Sequence, residues 1–438
     1  MNRQNTLFST FVHHVSRSIL GMIGLSCYIL ADTFFISLGL GSTGLAALNL
    51  AIPVYSAISA FGIMAGMGGS TRYAILQGSG RADESRHAFT DSLLLILVIA
   101  LLLVPLGLFA SKPISLLLGA DSATLADTTV YLQTLLICSP LFLLNQVLLF
   151  FLRSDGAPGL AMAGMLTGSF SNILLDWVFI FPFGMGMFGA VLATCMAPLL
   201  SILVMSRHLV KGPGFLPLSF SPAPLRGICR TCALGSSGGF CELAAGLVII
   251  LFNLLMLKLA GNDGVAAYGI VANLALVATA IFNGIAQGVQ PLFAYQYGRK
   301  QEKELADTRR LCFGTALILG VLLWIGVSLA AIPLAQLFNQ QGDPQLTEMA
   351  AGGLRLYFSA FLFTGFNLSV AVFFTATDRA AGALLLSTLR GFILVIPLAL
   401  ILQLLGVTGI WLTVPAAELL TALTAIWMLR RCRTMGTT

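Results

Sequence analysis

The chain has 438 residues, of which 58% are hydrophobic and only 9% are charged. Ordinary soluble domains carry about 25% charged residues, so this composition excludes a soluble protein and indicates one that crosses a membrane many times. The formal net charge of +6 does not indicate nucleic-acid binding, because the basic residues lie in short loops between apolar segments.

A helix needs about 20 predominantly apolar residues to cross the bilayer. Twelve segments meet this requirement: Val15–Ser37, Leu45–Gly69, Ala88–Ala110, Leu125–Phe151, Gly159–Phe181, Met187–Leu209, Cys232–Lys258, Val265–Tyr295, Leu311–Ala335, Leu346–Phe374, Ala380–Leu404 and Thr408–Leu429. We therefore predict an all-α membrane protein with twelve transmembrane helices, called spans 1 to 12 below.

The distribution of basic residues predicts the orientation. Lys and Arg concentrate in the cytoplasmic loops of membrane proteins. Here they lie on the side that holds both termini and the loops after the even-numbered spans, apart from Lys112, Lys258, Arg355 and Arg390. We predict that both termini are cytoplasmic.

The middle of the chain predicts a division into two lobes. Residues 211–227 contain four prolines, which are incompatible with a continuous helix, so we predict a cytoplasmic linker there. It separates an N-terminal six-helix lobe, residues 1–210, from a C-terminal six-helix lobe, residues 228–438.

Short motifs recur in the two halves, in the same order. Gly44-Leu-Ala-Ala resembles Gly264-Val-Ala-Ala, Gly80-Arg81 resembles Gly298-Arg299, and Phe150-Phe151 with Asp155 resembles Phe373-Phe374 with Asp378. An even number of spans in each half gives the two lobes the same orientation. Parallel repeats of this kind are typical of transporters that bind their substrate between the lobes.

Span 5 contains the sequence S-N-I-L-L-D, which places Asn172 and Asp176 on one helical face. A carboxylate inside the bilayer costs roughly 2.5–3.5 kcal/mol on insertion scales. Span 1 carries a second acid, Asp32. Both acids lie five residues from the predicted outer end of their span, or about 8 Å below the boundary at 1.5 Å per residue. We expect them to lie at the same level.

Thr194 of span 6 and Tyr28 of span 1 are predicted to lie near the two acids. Carboxylate, amide and hydroxyl oxygens are hard donors suited to Na⁺, and two adjacent carboxylates disfavour simultaneous ionisation, so the site can also hold a proton. The alternative is structural, with the acids bridging helices and Asn172 and Thr194 acting only in helix packing.

The C-terminal lobe has its own polar residues. Glu242, Arg390 and Glu418 all fall about 15 Å deep, near the middle of their spans. We expect Arg390 to lie between the two glutamates as a buried ion pair. One interpretation is structural, in which a neutralised Arg–Glu pair locks helices and leaves the other glutamate free to titrate, and the other is functional.

Several motifs together resemble the multidrug and toxic compound extrusion (MATE) family. They are Asp32-Thr33 followed by Gly-Leu-Ala-Ala, S-N-I-L-L-D in span 5, A-A-Y-G-I from Ala266, Q-G-V-Q-P before Y-G-R-K, and P-A-A-E from Pro415. The resemblance covers nearly the whole chain and is strongest to the prokaryotic branch. It implies V-shaped six-helix lobes, a bacterial inner membrane location, and cation-coupled export of drugs or amphiphilic cations. It implies a cation site at Asp32, Asn172, Asp176 and Thr194 with Tyr28 beside them, and a possible C-lobe counterpart at Glu242.

We therefore expect a monomeric secondary antiporter with a small amphiphilic or cationic substrate and H⁺ or Na⁺ as coupling ion. We expect no enzyme activity, no other cofactor, no nucleic acid and no use of ATP, since the sequence has no G-x-x-x-x-G-K-[ST] loop. The alternatives are a lipid-linked precursor flippase of related architecture, and a membrane-embedded transferase with acids that bind Mg²⁺.

Overall fold

The structure is a computed structural model that describes residues 3–211, 219, 224–339 and 343–435. Within these ranges the chain forms helices and turns and no β-strand. The α-helices are α1 Arg3–Gly78, α2 Ala82–Leu117, α3 Leu125–Ile137, α4 Ser139–Ser154, α5 Pro158–Ile180, α6 Gly186–Lys211, α7 Pro224–Gly298, α8 Glu302–Leu329, α9 Ala331–Phe338, α10 Pro344–Tyr357, α11 Phe361–Ala376, α12 Ala380–Thr388, α13 Val395–Leu402 and α14 Val407–Met435.

The two longest helices, α1 and α7, have 76 and 75 residues. A straight helix of that length would extend over about 110 Å, several times the roughly 30 Å of the hydrocarbon core. Each is interrupted at a single glycine with positive φ, at Gly41 (φ 69°) and Gly261 (φ 62°). Glycine adopts this conformation without a clash from Cβ, so the helix breaks there and each of α1 and α7 supplies two spans.

The remaining helices supply eight further spans. Span 3 is α2, span 4 is α3 with α4, spans 5 and 6 are α5 and α6, span 9 is α8, span 10 is α10 with α11, span 11 is α12 with α13, and span 12 is α14. Together with the pairs in α1 and α7, this confirms the predicted twelve-helix architecture in the part of the chain that is described.

Two spans differ in detail from their predicted course. Span 4 is bent by 51° between α3 and α4, where Pro140 lies in the first turn of α4 and has no N–H for a continuous helix. Span 9 ends at Leu329, and the residues up to Phe338 form the separate short helix α9.

Each half of the chain encloses its own hydrophobic core. Leu132, Leu135 and Phe151 lie in the core of the N-terminal half, and Phe252 and Phe282 lie in that of the C-terminal half. Apolar side chains also cover the outer faces of the helices: Leu101 and Leu102 of α2 are 65% and 64% exposed. Such faces require an apolar surrounding, which the bilayer provides.

The backbone reveals the register of the repeat. Gly78 and Gly298 end α1 and α7, and positive φ follows two residues later, at Gly80 and at Lys300. This corresponds to an offset of 220 residues, the same as between the helix breaks at Gly41 and Gly261. The predicted match of Gly80 with Gly298 is therefore two residues out of register.

Most of the predicted linker, residues 211–227, lies outside the described residues. Its two ends are helical, because α6 continues to Lys211 and α7 begins at Pro224. A proline is tolerated in the first turn of a helix, where its missing N–H would have no intrahelical partner. The linker is thus shorter than the proline content predicts.

The two lobes pack tightly at the end of the molecule where α1 and α7 finish. A Cβ added at Gly68 would overlap the carbonyl oxygen of Thr231, and one at Gly298 would overlap that of Ile75. Gln290 of α7 donates hydrogen bonds to Met67 O at 3.1 Å and to Thr71 Oγ1 at 2.5 Å in α1. Backbone contact of this kind requires small residues and closes this end of the space between the lobes.

Candidate functional site

The structure brings Asp32 and Asp176 together inside the N-terminal lobe. Asp32 is 8% exposed and Asp176 is fully buried, and the two carboxyl groups face each other within interaction range. The two helices pack closely elsewhere along their length: a Cβ at Gly24 of α1 would overlap Leu166 of α5. The equal depth predicted from helix counting therefore corresponds to a real contact.

The acid pair has no ionic partner among the described residues. Asp32 Oδ1, both carboxylate oxygens of Asp176 and both polar atoms of Asn172 are buried without a hydrogen-bond partner there. Asn172 lies one turn from Asp176 on α5. Buried polar groups are normally satisfied, and a proton or a small cation would satisfy these acceptor oxygens. A Na⁺ ion is compatible with this donor set.

Three tyrosines and a threonine surround the pair. The hydroxyl groups of Tyr28 and Tyr55 lie 3.0 Å apart, and both phenols lie close enough to Asp32 to interact with its charge. Tyr131 of α3 also lies near Asp32 and near the hydroxyl of Thr194. That hydroxyl donates to Ala190 O at 3.1 Å.

Sequence reasoning selected Tyr28 and Thr194 but missed Tyr55 and Tyr131. Both missed residues lie inside spans and not at the membrane interfaces where tyrosine is usually enriched. That unusual depth is the signal that would have selected them.

A cavity between the lobes begins beside this cluster. Tyr28, Tyr55 and Thr194 line it from the N-terminal lobe, and Glu242 and Asn283 line it from the C-terminal lobe. The empty space between its lining atoms, including the open mouth, is about 1030 Å³. A cavity shared by two repeated lobes is where transporters of this type bind their substrate.

The predicted C-lobe cluster is divided in the structure. Arg390 forms an ion pair with Glu418, and Asn367 Nδ2 donates to the second carboxylate oxygen of Glu418 at 2.6 Å. Glu242 instead lies near Ser59 of the N-terminal lobe and lines the cavity. Arg390 is therefore neutralised by one glutamate and does not lie between two.

Local helix geometry directs Arg390 towards its partner. The residues from Leu389 to Ile393 form a π-helical turn within span 11. Such turns insert one residue into a helix and rotate the side chains that follow, often at functional sites. Both carboxylate oxygens of Glu418 are hydrogen-bonded, one to Arg390 and one to Asn367.

Arg153 lies in a different environment from the predicted one. The sequence placed it in a cytoplasmic loop, but it is the penultimate residue of α4 and only 2% exposed. Its guanidinium lines the cavity and donates to Gln287 Oε1 of the C-terminal lobe at 2.7 Å. The predicted loop position failed because α4 continues into the space between the lobes.

The described residues contain no group of three or more His, Cys, Asp or Glu side chains arranged to hold a metal ion. The acid pair supplies only two such side chains, with amide and hydroxyl oxygens around them. A transition-metal centre does not fit this set, whereas a transient proton or alkali cation does.

Twelve spans in two repeated halves around a shared polar cavity define a membrane transporter. A model of the MatE family matches residues 18–178 and 243–401, once in each half. The chain therefore belongs to the MatE family, a family of transporters and not of enzymes.

Relatives and solved structures match over nearly the whole chain. The Multidrug export protein MepA of Staphylococcus saprophyticus is 25% identical over 97% of this chain and 93% of its own length. The MepA of Staphylococcus aureus is 25% identical over 99% of this chain and 96% of its own. An outward-facing structure of a multidrug resistance MATE family transporter of the MOP superfamily has a TM-score of 0.91 at 23% identity, covering 98% of this chain and 96% of that one. The last likeness supports the fold.

Proposed function

We propose that this protein is a secondary antiporter that exports drugs or amphiphilic organic cations in exchange for H⁺ or Na⁺. The observation that carries the proposal is the buried Asp32–Asp176 pair, which has no basic partner among the described residues. Two facing carboxylates disfavour simultaneous ionisation, so the pair binds a cation strongly. The relatives named as multidrug export proteins support a drug-like cargo.

The cycle begins with an empty acid pair and a substrate held in the cavity near Glu242. A proton or Na⁺ that enters the pair removes the repulsion between Asp32 and Asp176. Spans 1 and 5 then repack, and the substrate is displaced because Tyr28 belongs both to the ion site and to the cavity wall. Binding of ion and substrate are coupled in opposite directions, which is the requirement for antiport.

The driving force is sufficient without ATP. One elementary charge that crosses a potential of 100 mV supplies about 2.3 kcal/mol, and an ion gradient adds to it. With the termini cytoplasmic, as the basic residues predict, the tightly packed end of the lobes is the cytoplasmic end, and the cavity opens outward for release.

The flippase alternative is less favoured. A lipid-linked precursor carries phosphates and requires a predominantly basic cavity, whereas this cavity contains one arginine, Arg153, and one glutamate, Glu242, and adjoins two further acids. The related proteins named above are drug exporters. Monomeric action is proposed as well, because one chain supplies both lobes and the complete cavity.

Ion jumps across proteoliposomes test the proposal. The purified protein is reconstituted, ethidium is loaded, and efflux is followed after an imposed pH gradient or an imposed Na⁺ gradient. We expect one of the gradients to drive efflux in the wild type and neither to drive it in Asp32→Asn or Asp176→Asn. Asp83→Asn is the matched control, because Asp83 has a 99% exposed side chain. Gradient-driven efflux at the wild-type rate in both acid variants contradicts the proposal.

A further inference from the structure

The cavity contains a buried positive charge that the ion-coupling mechanism does not use. Arg153 is 2% exposed, and no carboxylate among the described residues lies within ion-pair range of it. Asp155, two residues further on, bonds instead to Tyr73 and His208. A buried charge without a counter-charge costs several kcal/mol.

The contacts of Arg153 leave most of its donor capacity unused. A guanidinium has five N–H donors. One Nη donates to Gln287 Oε1 at 2.7 Å, the other contacts Met165 Sδ at 3.0 Å, and the ring of Phe150 lies 5.5 Å from the guanidinium carbon. A neutral amide, a thioether and an aromatic face hold the side chain in place but do not neutralise it.

The cavity also has an acidic end. Gln146 of α4 donates to Ser59 Oγ at 3.5 Å, and Glu242 lies near Ser59. Arg153 follows Gln146 by seven residues on the same helix, so its backbone lies about 10 Å further along the axis. The lining therefore presents a carboxylate and a guanidinium at different heights of the cavity.

We propose that Arg153 is an anion-binding subsite of the inter-lobe cavity, which receives a carboxylate or phosphate group of the transported molecule while Glu242 receives its cationic group. The inference rests on the proposed function and extends it to substrates that carry both charges. Arg pairs with carboxylate or phosphate through two parallel hydrogen bonds, and the low dielectric of the cavity strengthens that pairing.

Two dyes that differ only in the anionic group provide the test. Rhodamine B is a zwitterion with a free carboxylate, and its ethyl ester is a cation with the same ring system. Binding of each dye to the purified full-length protein is measured by fluorescence anisotropy, in the wild type, in Arg153→Gln, in Arg153→Lys and in Glu242→Gln. Arg207→Gln is the control, because it removes an exposed positive charge at the end of α6.

The decisive quantity is the ratio of the two dissociation constants. We expect Arg153→Gln to weaken rhodamine B relative to its ester by about tenfold or more, as for a lost charge-assisted hydrogen bond. Arg153→Lys should retain most of the preference for rhodamine B over its ester. Glu242→Gln should weaken the binding of both dyes, since both carry the cationic group. If the ratio of dissociation constants in Arg153→Gln lies within about twofold of the wild-type ratio, the anion subsite is wrong. Binding of the ethyl ester is a separate readout, which tests the proposed export of cations.

A measurement on the wild type does not depend on how the variants fold. Sodium phosphate, compared with sodium chloride at equal ionic strength, should weaken binding of rhodamine B and leave the ester unchanged, and an equal effect on both dyes overturns the subsite. Phosphatidylglycerol replaces phosphate in a parallel series. If the lipid displaces rhodamine B but free phosphate does not, the anion is a lipid headgroup and the assignment to substrate is wrong.

Discussion

The hydroxyl groups of Tyr28 and Tyr55 lie 3.0 Å apart and connect the acid pair to the cavity. Tyr28 lies one turn from Asp32 on α1, and Tyr55 interacts with both Asp32 and Glu242. One phenol must donate and the other accept, so a change at either acid is transmitted to the orientation of both hydroxyls. This contact therefore links the neighbourhood of the acid pair with the wall of the cavity.

The contact between the two tyrosines predicts that substitutions at Tyr28 and Tyr55 have non-additive effects on the rate of efflux. Tyr28→Phe and Tyr55→Phe should each slow ion-driven efflux about fivefold, the effect of one lost hydrogen bond of about 1 kcal/mol. The double variant should be no slower than either single one, because both remove the same bond. Efflux rates in proteoliposomes measure this, with the exposed Tyr295→Phe as control. Losses that simply multiply would show that the two hydroxyls act independently.

Acids that couple ions and acids that hold helices should differ in their effect on stability. Asp176→Asn removes the repulsion with Asp32, so we expect an unchanged or higher melting temperature together with loss of driven efflux. Glu418→Gln leaves Arg390 without its counter-charge and should cost about 3 kcal/mol of unfolding free energy. Thermal unfolding in detergent compares the two. A large drop in melting temperature for Asp176→Asn would instead make that acid a structural residue.

Close backbone packing predicts that one glycine controls the closed end of the lobes. In Gly68→Val the new side chain must displace Thr231 of α7, so the lobes should separate at this end. Spin labels at the exposed Arg81 and Lys300, in a cysteine-free background, should report a longer distance. Gly314→Val is the control, because a Cβ at Gly314 meets nothing within 4 Å. The same distance distribution in Gly68→Val and the control would rule out a role for this contact in closure.

The hydrogen bonds of Gln290 predict that polar contacts also hold the lobes together at this end. Its amide donates to Met67 O and Thr71 Oγ1 of the other lobe. In Gln290→Glu a carboxylate replaces this donor and faces the carbonyl of Met67, which cannot donate, whereas Gln290→Met removes the hydrogen bonds without adding a charge. The same spin-label distance should therefore lengthen more in Gln290→Glu than in Gln290→Met. Equal distances in the two variants would argue against a latch between the lobes at this position.

The repeat was detectable in the sequence, and the match of Gly44 with Gly264 already had the offset of 220 residues. Motifs such as Gly80-Arg81 and Gly298-Arg299 are short enough to align at several offsets, and that match was two residues out of register. The backbone fixes the correspondence at 220 residues because the positive φ of Gly80 recurs at Lys300, a residue with no similarity in chemistry. Backbone conformation is thus repeated where side-chain identity is not.

The acid pair was predictable and the arginines were not, for the same physical reason. A helix has a fixed rise, so counting from its end gives the depth of Asp32 and Asp176, and a buried charge limits the direction in which each can point. The same count assigned Arg153 to a loop and gave Arg390 two candidate partners, because the end of a helix and its rotation depend on neighbouring helices.

The sequence by itself determined the membrane class, the twelve spans, the division into two lobes and the depth of the ion-site residues, since all of these follow from local hydrophobicity and helical rise. The tertiary structure decided which polar groups meet: Glu242 with Ser59, Arg390 with Glu418, and Arg153 with the cavity. Contacts between helices depend on how close two backbones approach and on how each helix is rotated. Those quantities are set by packing across the whole molecule and are not encoded in any single segment.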